Sequence, residues 1–264
     1  MGGVLTLGLD DRSVGGNPDF RLDAGSVVRR VFTIWGACLG PFSLVGLVTF
    51  LPALLLIGVL AALGAATATH LQFVGLLTNF LSLVLTGAVT YGVFRYLHGE
   101  PASVREILSA GLSRFGLVFV TSLLYGLAVI VGCLALVVPG LILAIRYWVA
   151  VPAAVVESEG ALASLDRSRA LTENNRWRVF SVSIRLMLLM FLATFVCGMA
   201  AVLLTGAFTY LHTPSLLRAF ERAVVLVLMI PIQVLVAIGP AVVYHDLRVG
   251  KEGGDVSELL KVFA

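Results

Sequence analysis

Between Arg30 and Arg95 the chain contains no Asp, Glu, Lys or Arg, and the same is true from Phe115 to Ile145 and from Leu186 to Leu217. No other feature restricts the fold as strongly. A helix needs roughly 20 apolar residues to cross a bilayer core of ~30 Å, and only a helix or a closed barrel satisfies its backbone there. A soluble core could not hide this much apolar side chain. Hydrophobic residues make up 59% of the chain and charged residues 12%, against ~25% charged in soluble proteins, so the surface itself would have to be apolar. The chain reads as all-α, a polytopic helical membrane protein.

Six spans are expected, at about 43–66, 71–94, 115–138, 141–156, 178–204 and 223–244. They divide the chain into a polar N-terminal segment (1–25), a single transmembrane helical domain (26–245) and a C-terminal tail (246–264). The first 25 residues hold Asp10, Asp11, Asp19 and Asp23 and no apolar run, which is not the pattern of a secretory signal. The fourth span is short. It follows VVPGL, where Pro139 and Gly140 are expected to break the helix; the hairpin over 115–156 either crosses fully or re-enters.

Basic residues are distributed unevenly. Arg12, Arg21, Arg29, Arg30, Arg95, Arg105, Arg114, Arg167, Arg169, Arg176, Arg178, Arg248, Lys251 and Lys261 fall on one side of the spans. Arg218 and Arg222 fall on the other. Fourteen against two places both termini in the cytoplasm of a bacterial inner membrane by the positive-inside rule.

An amphipathic cytoplasmic segment precedes each hairpin of spans, giving a weak threefold repeat. In the first, Val27, Val31, Ile34, Trp35 and Cys38 share a face, with Ser26 as the expected N-cap. In the second, Pro101 is expected to start a helix with Val104, Ile107, Leu108, Gly111 and Phe115 on its stripe. The third covers Ala161 to Thr172, with Leu162 and Leu165 apolar. Such helices lie flat at headgroup level. In the tail, Asp255 is a candidate cap for a short helix carrying Val256, Leu259, Leu260 and Phe263.

The densest charge is in SLDRSRALTENNRWRVF, residues 164–180. At helical spacing Asp166 meets Arg169, Arg169 meets Glu173, and Glu173 meets Arg176. Asp166, Arg167, Arg169, Glu173, Arg176 and Arg178 are the expected cytoplasmic interaction network, joined to Asp246, Arg248 and Glu252 of the tail. Arg248→Glu is therefore expected to disturb assembly or stability more than Arg12→Glu. Tryptophan beside arginine at a span entrance reads as an interface anchor, not a nucleic-acid patch.

Two arginines lie inside spans. Placing one near the bilayer centre costs ~3 kcal/mol on insertion scales, and neither span offers an acid. Arg146 and Arg185 either snorkel to headgroup phosphates or hold an anionic headgroup or solute in the bundle. The other span polar residues, Gln72, Asn79, Thr86, Thr90 and Gln233, read as links between helices. Pro231, Gly239 and Pro240 are candidates to break the last span. Gly36 and Gly40 form a GxxxG pair suited to close helix packing.

No enzyme signature appears. Cys38, Cys133 and Cys197 are far apart and lack CxxC spacing, so they read as small packing residues. The histidines His70, His98, His212 and His245 form no ligand cluster, and His245–Asp246 alone does not make a metal dyad. Neither a catalytic residue, a metal nor a cofactor is expected.

The stretches FRLDAGSVVRRVFTIWGACLGPF and LPALLL, the run PGLILAIRYWVAVPAAVVE with GALASLDRSRALTENNRWRVF, and the ending AVVYHDLRVGKEGGDVSELL follow one another in a familiar order. Together they resemble a bacterial integral membrane family labelled the glycerophosphoryl diester phosphodiesterase membrane domain. The resemblance covers nearly the whole chain. It implies the membrane module alone, because the His-Arg-Gly opening and metal-binding acids of the catalytic domain fused to some relatives are absent. The expected role is that of a non-enzymatic inner-membrane scaffold that binds membrane lipids and a partner, either a further copy or another membrane protein. The alternative is a transporter or channel for a small or lipidic anionic solute.

Overall fold

The computed structural model of the protein describes residues 20–100, 102–206 and 214–253. Among them the regular structure is entirely helical: α1 (Ala24–Ala62), α2 (Ala68–Leu97), α3 (Val104–Ser113), α4 (Phe115–Ala135), α5 (Val137–Arg146), α6 (Ala150–Glu157), α7 (Ala161–Thr172), α8 (Arg176–Gly206) and α9 (Pro214–Glu252). Among the described residues six segments are long and apolar enough to cross a membrane, with α5 and α6 counted together. The protein is a multi-pass membrane protein. Its outer surface fits that solvent: Leu51, Leu55, Leu127, Leu134, Phe191 and Leu203 are all exposed, an arrangement that water would penalise and lipid does not.

The two longest helices organise the rest. α1 and α9 each have 39 residues, or about 58 Å at 1.5 Å per residue, roughly twice the hydrocarbon thickness. They run antiparallel in contact, and Arg30 near the start of α1 pairs with Asp246 near the end of α9. α2 packs against both, and α8 packs on α9. The core lies where they meet: Val31, Ile34, Phe42 and Val45 of α1, Leu85 and Val89 of α2, Val182 and Leu186 of α8, and Val234, Ile238 and Val242 of α9. A smaller cluster of Ala53, Ile57, Ala66, Val74 and Ala219 closes the opposite end. α4 and α5 form a close hairpin, with Gly132 against Gly140 so tightly that a Cβ on Gly132 would sit 2.9 Å from the Gly140 Cα.

Several expectations change. The first amphipathic segment is not a separate helix lying flat. It is continuous with the first span, through Pro41 and Pro52, and Val27, Val31, Ile34 and Cys38 are buried in protein. The cap of α1 is Asp23, not Ser26: its carboxylate accepts from the Gly25 and Ser26 amides at 3.2 and 3.0 Å. α3 starts at Val104 under a capping box made by Ser103 and Glu106, the Ser-x-x-Glu signature of a helix start; Pro101 lies outside the described residues. α7 does run from Ala161 to Thr172, but Leu162 is exposed and the buried face is Ser164, Leu165, Ser168, Leu171 and Thr172.

The fourth span also differs. The hairpin turns at Leu136, which is extended, and Pro139 and Gly140 fall in the first turn of α5, where proline costs no intrahelical bond. The break comes later, at Tyr147–Trp148–Val149. There the Trp148 and Ala150 amides bond three residues back, to the Ile145 and Tyr147 carbonyls, which is 3₁₀ tightening. The freed Arg146 carbonyl accepts the Ser168 and Thr172 hydroxyls of α7 at 2.8 and 3.2 Å. The last span is not broken, since α9 is continuous through Pro231 and Pro240 and continues past the expected tail boundary to Glu252. Trp35 fastens α1 to α9 by donating its indole N–H to the Pro231 carbonyl at 2.9 Å. Gly36 and Gly40 are exposed, with no side chain or neighbouring backbone within 4 Å of where a Cβ would stand. Of the cysteines, Cys38 is buried, Cys197 half-buried and Cys133 exposed. The expected tail helix from Asp255 to Phe263 lies outside the described residues, as do Arg12, Lys261 and His212.

Candidate functional site

Glu157 ends α6, just after a run of small apolar residues whose burial fixes that helix end. One of its oxygens accepts from Arg167 Nε at 2.7 Å and from the Tyr244 hydroxyl, and lies 3.6 Å from Arg248 Nη1. Arg167, on α7, also grips Glu252 through both ends of its guanidinium fork, at 2.7 Å for the Nη2–Oε2 bond. Arg248 lies 3.7 Å from Glu252 and donates to the Tyr244 hydroxyl at 3.2 Å. Glu157, Arg167, Glu252, Arg248 and Tyr244 therefore form a closed ring of contacts across α6, α7 and α9. Tyr244, Arg248 and Glu252 share one face of α9 because they recur every four residues.

The ring is held at the edge of the core. Tyr244 is fully buried, with its ring edge-on to Phe94 at 5.8 Å. Burial works against the Arg167 cation, but its bonds to Glu252 and Glu157 outweigh that and hold its pKa above the ordinary arginine value. Two acids and two arginines balance, so no uncompensated charge is left in a partly desolvated place.

Further ties surround the ring. Arg30 pairs with Asp246, which also lies 3.3 Å from His245 Nδ1. The buried Asn175 accepts from the Leu22 amide at 3.0 Å and donates to the Phe20 carbonyl at 2.8 Å, while Arg178 donates to the Leu22 carbonyl at 2.7 Å. Lys251 donates to the carbonyls of Ala170 and Glu173 at the end of α7, where unpaired carbonyls attract a cation. Arg114 reaches the Val155 carbonyl and the Ser158 hydroxyl at the end of α6.

The structure thus brings Arg167, Arg248 and Glu252 together and puts Asp246 in a separate pair with Arg30. It does not assemble the expected ladder along residues 166–176. Asp166, Arg169, Glu173 and Arg176 are exposed, with no ion pair within 4 Å among the described residues. The reason is local: α7 stops at Thr172 and Asn174 takes a left-handed conformation at φ 63°, so Glu173 and Arg176 do not share a helix. Glu157, Tyr244, Arg30 and Asn175 were not singled out from sequence. The four-residue spacing of Tyr244, Arg248 and Glu252 was a readable signal; Glu157 had none beyond being the first acid after an apolar run.

Arg146 and Arg185 are not brought together. Arg185 is exposed on α8 among residues that face outward, such as Ile184, Met187 and Leu188. Arg146 ends α5, half-buried, and its Nε is buried without a hydrogen-bond partner. Among the other span polar groups, Thr86 bonds within its own helix to the Ser82 carbonyl, and the buried Thr90 hydroxyl has no partner. Asn79 and Gln233 line a common pocket of about 140 Å³ with Thr78 and Arg222. Among the described residues no group of three or more His, Cys, Asp or Glu could hold a metal ion. Compared with models of protein families, with curated proteins and with solved structures, the chain finds no match.

Proposed function

We propose that this is a non-enzymatic scaffold of a bacterial inner membrane, with both termini cytoplasmic, which binds lipid and a partner at its cytoplasmic face. The reading carries with it the resemblance to the membrane module of the glycerophosphoryl diester phosphodiesterase membrane domain family. The observation that supports it is the ring of Glu157, Arg167, Glu252, Arg248 and Tyr244. These groups neutralise one another and lock three helices at the basic end of the bundle, the geometry of a rigid platform and not of charges gathered round an open cavity. Arg248→Glu puts a third carboxylate beside Glu157 and Glu252. At these partly exposed side chains it costs about 2 kcal/mol, and the melting temperature in detergent falls by several degrees, whereas Arg12→Glu leaves it within a degree or so. Equal melting temperatures would overturn the platform reading.

One observation favours the second reading, a transporter for a small anionic solute. The pocket lined by Thr78, Asn79, Arg222 and Gln233 lies between α1, α2 and α9, and polar groups in spans mark solute paths in many membrane proteins. Liposome flux of a small organic anion separates the two. The scaffold gives the protein-free rate; a faster rate abolished by Arg222→Gln would establish transport.

A further inference from the structure

Where α7 gives way to α8, three arginines converge. Arg21, Arg176 and Arg178 line a pocket of about 570 Å³ together with Asn174 and Trp177. Among the described residues Glu173 is the one carboxylate on its wall, and Asn175 there is already committed to the backbone of Phe20 and Leu22. Three guanidinium groups against that one carboxylate, with Asp23 acting on Arg178 from outside the lining, leave the described lining cationic. Arg178 spends one nitrogen on the Leu22 carbonyl, while Arg176 is exposed.

Arg176 and Trp177 also line a second cavity, of about 290 Å³, between α5 and α8. Its remaining walls are Val138, Leu141, Ile142, Ile145 and Phe180, all apolar. A cationic pocket and an apolar cleft therefore share a wall. Trp177 stands on that wall 83% exposed, with its ring edge-on to Phe180 at 6.0 Å. A tryptophan held this far out of the protein core, beside an arginine and above an apolar cleft, is placed as tryptophans are at a membrane interface.

We propose that the two cavities form one binding site for an anionic phospholipid. The headgroup phosphate lies among Arg21, Arg176 and Arg178, whose forked donors match its oxygens. An acyl chain occupies the cleft between α5 and α8, and Trp177 stands at the junction. A water-soluble phosphate compound would fill only the cationic half, which is why a lipid is the occupant. The inference rests on the proposed reading in one respect, that the basic end of the bundle faces the anionic cytoplasmic leaflet.

Native mass spectrometry of the protein released from nanodiscs of equal phosphatidylglycerol and phosphatidylcholine tests it. The wild type retains phosphatidylglycerol in preference, by about tenfold, which corresponds to about 1.4 kcal/mol. The double variant Arg21→Gln/Arg176→Gln loses that preference. Leu141→Trp, which fills the cleft and leaves all three arginines in place, lowers retention of both lipids. Equal retention of the two lipids by the wild type, or unchanged retention in either variant, would overturn the proposal. So would full displacement of phosphatidylglycerol by millimolar glycerol phosphate, because the site would then belong to a soluble phosphate. Neither variant touches the ring at Glu157, so both keep the wild-type melting temperature. Arg248→Glu loses stability but keeps the lipid preference, so the platform and the lipid site fail independently.

Discussion

At the level of single residues, caps show how far composition constrains geometry. Asp23 and Ser26 are both good N-cap types, and residue type alone does not distinguish them. The choice is made by the chain before the helix: Leu22 is buried and tied to Asn175 and Arg178, which sets Asp23 at the helix entrance and leaves Ser26 donating back to the Asp23 carbonyl at 2.9 Å. The Ser26 and Gly25 amides hold the Asp23 carboxyl below its ordinary pKa, and the Ser103 amide does the same for Glu106. A carboxylate with a depressed pKa stabilises the fold above its unfolded value, and that contribution disappears as pH falls through the folded value. Both caps are therefore fully active at neutral pH and are lost in the acid range below about pH 4. In Asp23→Asn an acceptor remains but the charge is gone, so the fall in melting temperature from pH 6 to pH 3 becomes shallower than in the wild type. Parallel melting curves, followed by circular dichroism, would refute the role of Asp23.

At the level of elements, the sequence showed where helices exist better than where they end. Lengths of apolar run placed all six spans, because the bilayer imposes a minimum on each. Ends depended on partners distant in sequence. α1 continues through Pro41 because long contact with α9 and α2 holds the helix on either side. Pro139–Gly140 looked like the turn, yet the break at Tyr147 is set by two hydroxyls on α7 that no local pattern announces. Glycines divide in the same way. Gly36 and Gly40 carry a packing motif that nothing among the described residues uses, whereas Gly111 carries none and sits at a close helix crossing. A Cβ there would stand 2.6 Å from the Val84 carbonyl oxygen and 2.7 Å from the Ala88 Cβ, so the backbones of α2 and α3 would have to separate. Gly111→Ala costs about 1–3 kcal/mol, as overpacking does, and lowers the melting temperature by several degrees. Gly36→Ala, open on all sides, leaves it unchanged or slightly higher, since alanine favours helix. Equal effects of the two would show that α2 and α3 are not in close contact.

At the level of the whole molecule, orientation follows from charge that the fold itself leaves unaltered. The start of α1 and the end of α9 meet at Arg30 and Asp246, so both ends of the described chain share one side of the bundle. That same end collects Arg95, Arg105, Arg114, Arg167, Arg169, Arg176, Arg178, Arg248 and Lys251, while the far end holds Arg218, whose Nε donates to the Ala66 carbonyl at 2.9 Å, and Arg222. A cationic segment is retained on the cytoplasmic side during insertion, which is the ground for the proposed orientation with the basic end cytoplasmic. In that proposed orientation the α1–α2 connection at Gly64, with no basic residue, is periplasmic. Reporter fusions test this directly. A reporter active only in the cytoplasm works when joined after Glu252 and is silent when inserted at Gly64, and a reporter active only in the periplasm gives the reverse. The pattern does not depend on the ring, so Arg248→Glu destabilises the protein without inverting it. Replacing Arg29, Arg30, Arg167 and Arg169 together by Gln weakens the bias and produces a mixed population. Periplasmic activity of the fusion after Glu252 in the unaltered chain would reverse the proposed orientation, and would move the cationic pocket at Arg176 away from the anionic leaflet that the proposed lipid site requires.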